Sequence, residues 1–422
     1  MRFDQYSLIP QIKENLSKKG LNKPTDIQFK SIPHILKGED VLAIAQTGTG
    51  KTAAFAIPVI HKIQLLKSKK RATGIRCLVM VPTRELCIQI TDVFNDIGKK
   101  TKVVARSIFG GVEQDSQINT LTKGVDIVVA TPGRMFDLIS QGHLKLNQLE
   151  ILILDEADQM LDKGFYHDIK SLQKHIPKRR QTLFFSATID EKIKRLAYSL
   201  VVNPIRIQIS PKNPVARNVN HSIVKVQKDD KRFFLERFIK ENNDNKILIF
   251  VRTKVRAERV QKAMQRVNIE CLTLHGDKDQ NERITTLEKF KSGESNILIA
   301  TDISARGIDI PNVEFVVNYD IPEQADSYVH RVGRTGRGRS KGKAVSFVSN
   351  EENELLKAIE DYTGDEIKEI KINIDDYNET IDYSDDTSQT WQSLIKEHDR
   401  VENNLKQLHN KRKKQKLNKK KK

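Results

Sequence analysis

Val41-Leu42-Ala43-Ile44-Ala45-Gln46-Thr47-Gly48-Thr49-Gly50-Lys51-Thr52 is the stretch from which the fold is read. Val41–Ala45 is short and continuously apolar, as a strand buried on both faces should be. A helical pattern, Thr52–Leu65, starts where the glycines end. A Gly-rich turn between strand and helix, closing on Gly50-Lys51-Thr52, is the context a phosphate-binding loop requires. The glycines let backbone N–H groups turn toward phosphate oxygens, and the helix N-terminus adds partial positive charge. Lys51 has the reach for β- and γ-phosphates, and Thr52 carries a hydroxyl for Mg²⁺. Ala45 stands where the general pattern has glycine, so the strict pattern is missed by one residue. The bland alternative is a Gly-rich turn that only caps a helix.

Working outward, the same alternation recurs. Apolar runs at Cys77–Val81, Ile127–Ala130, Ile151–Leu154 and Thr182–Phe185 complete a first group of strands. Ile247–Val251, Cys271–Leu274, Ile297–Ala300, Phe315–Val317 and Ala344–Val348 form a second. Helical patterns lie between them, at Arg84–Asn95, Asp190–Ser199, Arg256–Arg266 and Asn281–Phe290. Alternating β and α implies parallel sheets covered by helices. Ser210–Val215 carries two prolines and no periodicity, and reads as a linker between the two groups. A helix near Asn353–Tyr362 and a strand near Ile367–Ile374 close the second. Asp375–Thr390, with six acids and no base, reads as a solvated, disordered link. Trp391, Leu394, His398, Val401, Leu405 and Leu408 step by three and four, as in a short amphipathic helix.

Two further clusters bear chemistry. Ile151–Leu154 runs into Asp155-Glu156-Ala157-Asp158. An acid at a strand end can hold Mg²⁺ directly or through water, which suits Asp155. Glu156 can polarise an attacking water as general base. Alone, two such acids would be a helix N-cap region. His330-Arg331-Val332-Gly333-Arg334-Thr335-Gly336-Arg337 gathers three arginines and a histidine among glycines. Guanidinium forks match phosphates and are costly to bury unpaired. One group of strands carries the phosphate loop and the other the arginines. The economical reading is an active site completed across a cleft, against a merely solvated basic loop.

Composition narrows the classes. The chain has 422 residues, 73 Lys+Arg against 55 Asp+Glu, and a formal charge of +18. Residues 411–422 carry +9, 391–410 carry 0 and 351–390 carry −11, which leaves +20 for 1–350. The body itself is basic, so a polyanion, nucleic acid first, is the expected partner. Cys77, Cys87 and Cys271 are far apart, which argues against a disulfide framework or a cysteine zinc site and fits a reducing, cytoplasmic compartment. The N-terminus lacks the apolar core of a secretory signal, and no apolar run approaches the 18 residues of a membrane span.

These motifs, in this order, resemble the DEAD-box family of ATP-dependent RNA helicases, Asp155-Glu156-Ala157-Asp158 spelling the name. The resemblance covers about residues 3–374 and implies two RecA-like α/β domains joined by a flexible linker, with a disordered basic C-terminal tail. The implied boundaries are an adenine-reading Q-motif region (1–28), domain one (29–209), the linker (210–217) and domain two (218–374). An acidic link (375–390), a possible helix (391–408) and a Lys-rich tail (409–422) follow. Gly20–Gln28 resembles the Q motif, with Leu21 where the family usually has Phe. Gln28 would read the adenine edge and Phe3 would stack on the base. With them, Ala45, Gln46, Thr47, Gly48, Thr49, Gly50, Lys51 and Thr52, then Gly307 at the phosphates and Asp309 at the ribose, would hold ATP. Thr52 and Asp155 would hold Mg²⁺, partly through water.

Catalysis would rest on Lys51, Thr52, Asp155, Glu156, His330, Arg334 and Arg337. Ser186 and Thr188 would couple hydrolysis to strand separation, although either could simply cap the next helix. Pro82-Thr83-Arg84-Glu85-Leu86, Gly110-Gly111, Thr131-Pro132-Gly133-Arg134, His275-Gly276, Gln280, Arg283 and Thr301 match RNA-contacting motifs. From these, Arg84, Gly111, Thr131, Arg134, Gly276 and Thr301 would meet the RNA backbone, with little sequence preference. The implied activity is RNA-stimulated ATP hydrolysis coupled to local, poorly processive remodelling of RNA duplexes and RNA–protein complexes. The compact core and Lys-rich end resemble bacterial RhlE-like members, linked to ribosome assembly and RNA turnover, and protein partners would bind through the C-terminal region. Two rivals are an ATP-latched RNA clamp that unwinds little and a DNA-directed superfamily 2 helicase. Gln28 and Asp158 speak against the second.

Overall fold

A computed structural model describes residues 2–46, 48–69, 74–209, 218–302, 310, 313–336, 341–382 and 384. Thr47, Gly307, Asp309, Arg337, the 210–217 linker, the 391–408 helix and the 409–422 tail lie outside the described residues.

The first lobe opens with a short 3-10 turn, Phe3–Gln5, and helices α1 (Pro10–Lys18) and α2 (Asp26–Lys37). Its strands are β1 (Val41–Ala45), β2 (Cys77–Met80), β3 (Ala105–Ile108), β4 (Ile127–Ala130), β5 (Ile151–Leu154), β6 (Gln181–Ser186) and β7 (Ile205–Ile209). Between them run α3 (Lys51–Ser68), α4 (Arg84–Ile97), α5 (Gln114–Thr122), α6 (Pro132–Ser140), α7 (Ala157–Asp162), α8 (Tyr166–Leu172) and α9 (Glu191–Leu200). The strands form one parallel seven-stranded sheet in the order β3-β4-β2-β5-β6-β1-β7. Every residue of β1 is buried. Val41, Ala43 and Ala45 enter one core and Leu42 the other, because successive side chains leave a strand on opposite faces. Helices on both sides make both faces apolar, hence the uninterrupted runs in the sequence.

The second lobe repeats the plan. It contains β8 (Val219–Lys225), α10 (Lys231–Glu241), β9 (Ile247–Val251), α11 (Lys254–Arg266), β10 (Leu272–Leu274), α12 (Gln280–Ser292) and β11 (Ile297–Thr301). Then come β12 (Phe315–Asn318), α13 (Ala325–Val332), β13 (Gly342–Val348), α14 (Asn353–Thr363), β14 (Lys368–Glu369) and α15 (Ile374–Asp382). The parallel order is β10-β11-β9-β12-β13-β8-β14. The two lobes are RecA-like α/β domains. Among the described residues no helix is long and apolar enough to cross a membrane.

Five elements depart from expectation. β3, β7 and β8 are strands that the apolar runs do not announce. β3 and β7 are edge strands with mixed burial, and β8 interleaves Asn220, His221 and Ser222 with its apolar residues. The expected disordered link is corrected over its first half: Ile374–Asp382 is helix α15. Its acids Asp375, Asp376, Glu379 and Asp382 face water, while Tyr377 and Thr380 turn inward onto α10. The Tyr377 hydroxyl donates to Asp230 Oδ2 at 2.8 Å and accepts from the Gln227 amide at 3.0 Å. Arg237 donates to the Thr380 hydroxyl at 2.7 Å. Net charge concealed an amphipathic helix. The strand expected over Ile367–Ile374 shrinks to Lys368–Glu369.

Candidate active site

All strands of a parallel sheet end on the same edge, and that edge carries the chemistry in both lobes. In the first, Gln46–Thr52 follows β1, Arg84 and Glu85 follow β2, Gly110-Gly111 follows β3, Thr131–Arg134 follows β4, Asp155–Asp158 follows β5 and Ser186 ends β6.

Gly48 and Gly50 adopt φ of +81° and +92°, the left-handed region that glycine enters without penalty. A Cβ on Gly50 would also collide with the Gln28 amide. Gln28 Nε2 donates to the Gly50 carbonyl at 3.1 Å, and Gln28 Oε1 accepts from the Thr25 amide at 3.0 Å. Gln28, only 5% exposed, therefore ties the start of α2 to the phosphate loop. Phe3 lies in the core at 4% exposure, its ring tilted against Tyr6 with the centroids 5.9 Å apart. Lys51 begins α3 and is 5% exposed, and its Nζ has no hydrogen-bond partner among the described residues. A buried ammonium without a partner is costly, so this geometry suits an anionic ligand. Thr52 is half-buried beside it.

Asp155 and Glu156 follow β5, buried at 2% and 5% exposure. Asp155 Oδ1 accepts from the Glu156 amide at 3.0 Å. Burial pushes the Asp155 carboxyl above its ordinary range, against the pull of Lys51. Glu156 is pushed up to about 7 by burial first, with Asp155 and Asp158 adding repulsion, while Lys51 and Arg334 oppose the rise. Its φ of 52° is left-handed, a strained conformation for a side-chain-bearing residue. Gln159 Nε2 donates to Glu156 Oε2 at 2.5 Å and fixes the carboxylate.

Asp158 turns the other way. Its Oδ2 accepts from the Ala187 and Thr188 amides at 3.0 and 3.2 Å, joining the acids after β5 to the turn after β6. The Ser186 hydroxyl is buried with no partner among the described residues. Across the cleft, His330 on α13 borders a cavity with Asp158 and Thr188. Arg334, 3% exposed, donates Nε to the His330 carbonyl at 3.1 Å. Arg331 differs from its neighbours. It is fully buried, grips Asp302 through Nε and Nη2 at 2.6 and 2.7 Å, and donates to the Asp320 carbonyl at 2.6 Å. One arginine of the cluster is thus an internal strut.

The expected RNA-contacting residues fall along the rim. Gly111 is left-handed, and a Cβ on it would collide with the Arg84 guanidinium. Arg134 Nη2 donates to the Val112 carbonyl at 3.1 Å, and Thr131 precedes α6 as its N-cap. In the second lobe, Gly276 and Thr301 border a cavity of about 510 Å³ with Arg252, Thr253, Lys254 and Asp302. Arg252 and Lys254 escaped the sequence reading. Their signal was two cations directly after the buried run Ile247–Val251. Glu85, Gln280 and Arg283 join the lobes: Arg283 Nη2 reaches Glu85 Oε1 at 2.8 Å, and Arg84 Nη1 donates to Gln280 Oε1 at 3.1 Å.

Two family descriptions match the chain: DEAD/DEAH box helicase over residues 25–196 and helicase conserved C-terminal domain over 230–339. The ATP-dependent RNA helicase DbpA of Bacillus subtilis (strain 168) is 37% identical over 87% of this chain and 76% of its own length. The chain belongs to the DEAD-box helicase family. This helicase is also 41% identical, over 89% of its length, to the ATP-dependent RNA helicase DeaD of Buchnera aphidicola subsp. Baizongia pistaciae (strain Bp), of which it spans 62%. A solved structure of S. cerevisiae Dbp5 bound to RNA and ADP BeF3 superposes with the helicase at a TM-score of 0.79 and 32% identity. That match covers 89% of this chain and 97% of the other. The DEAD-box helicase Mss116 bound to ssRNA and UDP-BeF aligns at a TM-score of 0.80 and 27% identity, over 91% and 82% of the two chains.

Proposed function

We propose that this helicase hydrolyses ATP in an RNA-stimulated reaction and uses the cycle to open short RNA duplexes or strip RNA–protein contacts locally. The observation that carries the reading is the buried Lys51 ammonium facing Asp155 and Glu156, with Arg334 of the other lobe near enough to act on the Glu156 carboxyl. Neither lobe holds that set alone. Relatives named ATP-dependent RNA helicases, and related structures bound to RNA together with a nucleotide, support the same reading.

In this account Lys51 and the loop amides from Gln46 to Thr52 hold the β- and γ-phosphates. The Thr52 hydroxyl and the Asp155 carboxylate suit magnesium, which would neutralise phosphate charge when bound with the nucleotide. Gln28 senses the base while holding the loop, and Phe3 stacks on the base. Glu156 takes a proton from the attacking water. Arg334 and Arg337 stabilise charge on the transferring phosphoryl group, and Gly307 and Asp309 complete the nucleotide contacts. Asp158, Ser186, Thr188 and His330 relay the state of that site between lobes. Arg84, Gly111, Thr131, Arg134, Gly276 and Thr301 hold the RNA backbone, so sequence preference is low. We further place the helicase in the cytoplasm, in ribosome assembly or RNA turnover in the manner of RhlE-like enzymes, with any protein partners at its C-terminal region.

The deciding measurement is ATP hydrolysis with and without RNA, alongside separation of a short labelled duplex. Glu156→Gln should bind ATP and RNA but hydrolyse at least about 100-fold more slowly. Normal turnover in that variant removes Glu156 as the base.

A further inference from the structure

Helix α13 lies between two cavities and turns a different face to each. Gln324, at its N-cap, and Ser327 border the cavity of about 510 Å³ on the expected RNA side, with Gly276, Thr301 and Asp302. Asp326 and His330 border a second cavity, of about 240 Å³, with Asp158 and Thr188 of the first lobe. Steps of three and four residues join 324, 327 and 331 on one face and 326 and 330 on the next. Gln324 borders both cavities. At an N-cap a short side chain usually accepts from the first turn, but Gln324 makes no such bond. Its exposed carboxamide has no hydrogen-bond partner among the described residues. The helix beneath it is held in place: Arg331 grips Asp302 at the RNA cavity, and His330 beside it faces the first lobe.

A carboxamide presents an acceptor on one side and donors on the other. Asp326 lies two residues on, and among the described residues its carboxylate takes only a 3.5 Å bond from the Ser327 hydroxyl. A carboxylate accepts and does not donate, so it draws the Gln324 NH2 to its own side. Oε1 is then left toward the RNA cavity, where it needs a donor. Phosphates have none to give. The donor on an RNA backbone is the ribose 2′-hydroxyl, which DNA lacks. We propose that Gln324 reads a ribose 2′-hydroxyl of the bound strand and so selects RNA over DNA, with Asp326 holding its carboxamide the right way round. The contact sits on the helix that carries His330. The proposal rests on the helicase reading and names the contact that sets its substrate class. RNA-stimulated hydrolysis by the wild type tests that reading, whereas only the ratio of RNA to DNA affinity tests Gln324.

The experiment titrates the full chain, with ADP and beryllium fluoride present, against a labelled single strand of RNA and against DNA of the same sequence. Low salt keeps both affinities measurable. Gln324→Ala should raise the RNA Kd about fivefold, as loss of one hydrogen bond does, and leave the DNA Kd unchanged. Gln324→Glu keeps an acceptor at that place and should keep the RNA:DNA ratio, although its charge weakens both complexes. Asp326→Asn lets the carboxamide turn over and should lower the preference by less. In the double variant Gln324→Ala/Asp326→Asn the preference should fall no further than in Gln324→Ala alone. Equal rises of the RNA and DNA Kd in Gln324→Ala, the mark of misfolding or of a lost surface contact, overturn the proposal. So does an unchanged ratio, or additive losses in the double variant.

Discussion

Glu156 combines three costs at one residue: burial, neighbouring carboxylates and a left-handed backbone. Strain of that kind persists where the surroundings over-determine it, and here Gln159 and Asp155 do so. Its carboxyl titrates near 7 in the folded chain against an ordinary 4.5. Between those values the folded state binds more protons than the unfolded one, so stability falls as pH rises through the window. Glu156→Gln abolishes that titration. The variant should melt with the wild type near pH ~5 and about 3 °C above it near pH ~8, read by calorimetry. The reactive pair was legible because Asp155-Glu156 follows an apolar run. The shift at Glu156 was not, because it comes first from burial, which only the folded chain sets. The same limit hid Arg331, which looks in sequence like its neighbour Arg334 yet is consumed by Asp302.

Elements declared themselves in proportion to how completely they are buried. β1, β2, β4, β5 and β9 are buried at every position and read as unbroken apolar runs. β7 reads Ile-Arg-Ile-Gln-Ile, the alternation of an edge strand, and was passed over. α15 failed for another reason: six acids dominated the reading, whereas two inward residues decide where the helix docks. Tyr377→Phe leaves the Gln227 amide and Asp230 without the hydroxyl. It should lower the stability of the second lobe by about 1–2 kcal/mol in urea unfolding, with ATPase little changed.

For the whole molecule, the proposed reaction requires residues of both lobes in one site. The Glu85–Arg283 pair is buried on both sides, at 4% and 14% side-chain exposure, and joins the lobes at the expected RNA rim. Removing one partner leaves a buried charge uncompensated. Glu85→Gln or Arg283→Met should each raise the RNA half-saturation of the ATPase about tenfold while sparing nucleotide affinity. The double variant should be no worse than either single one. Residues 411–422 carry nine Lys/Arg and no acid, and we propose that they add RNA affinity through charge. Deleting Lys411–Lys422 should weaken RNA binding and flatten its salt dependence, leaving saturated turnover nearly intact.

By itself the sequence determined the two parallel sheets, the phosphate loop, the acid pair and the family. Each of these is written in a short window, because strand burial, loop conformation and helix starts are local properties. Only the tertiary structure decided which arginine faces the acids and which is a strut, that Gln28 holds the loop and that Phe3 is packed away. It also decided that aspartates from both lobes border one cleft. Those outcomes depend on which residues, far apart in the chain, share a low-dielectric space. Topology and closure set that; residue type does not.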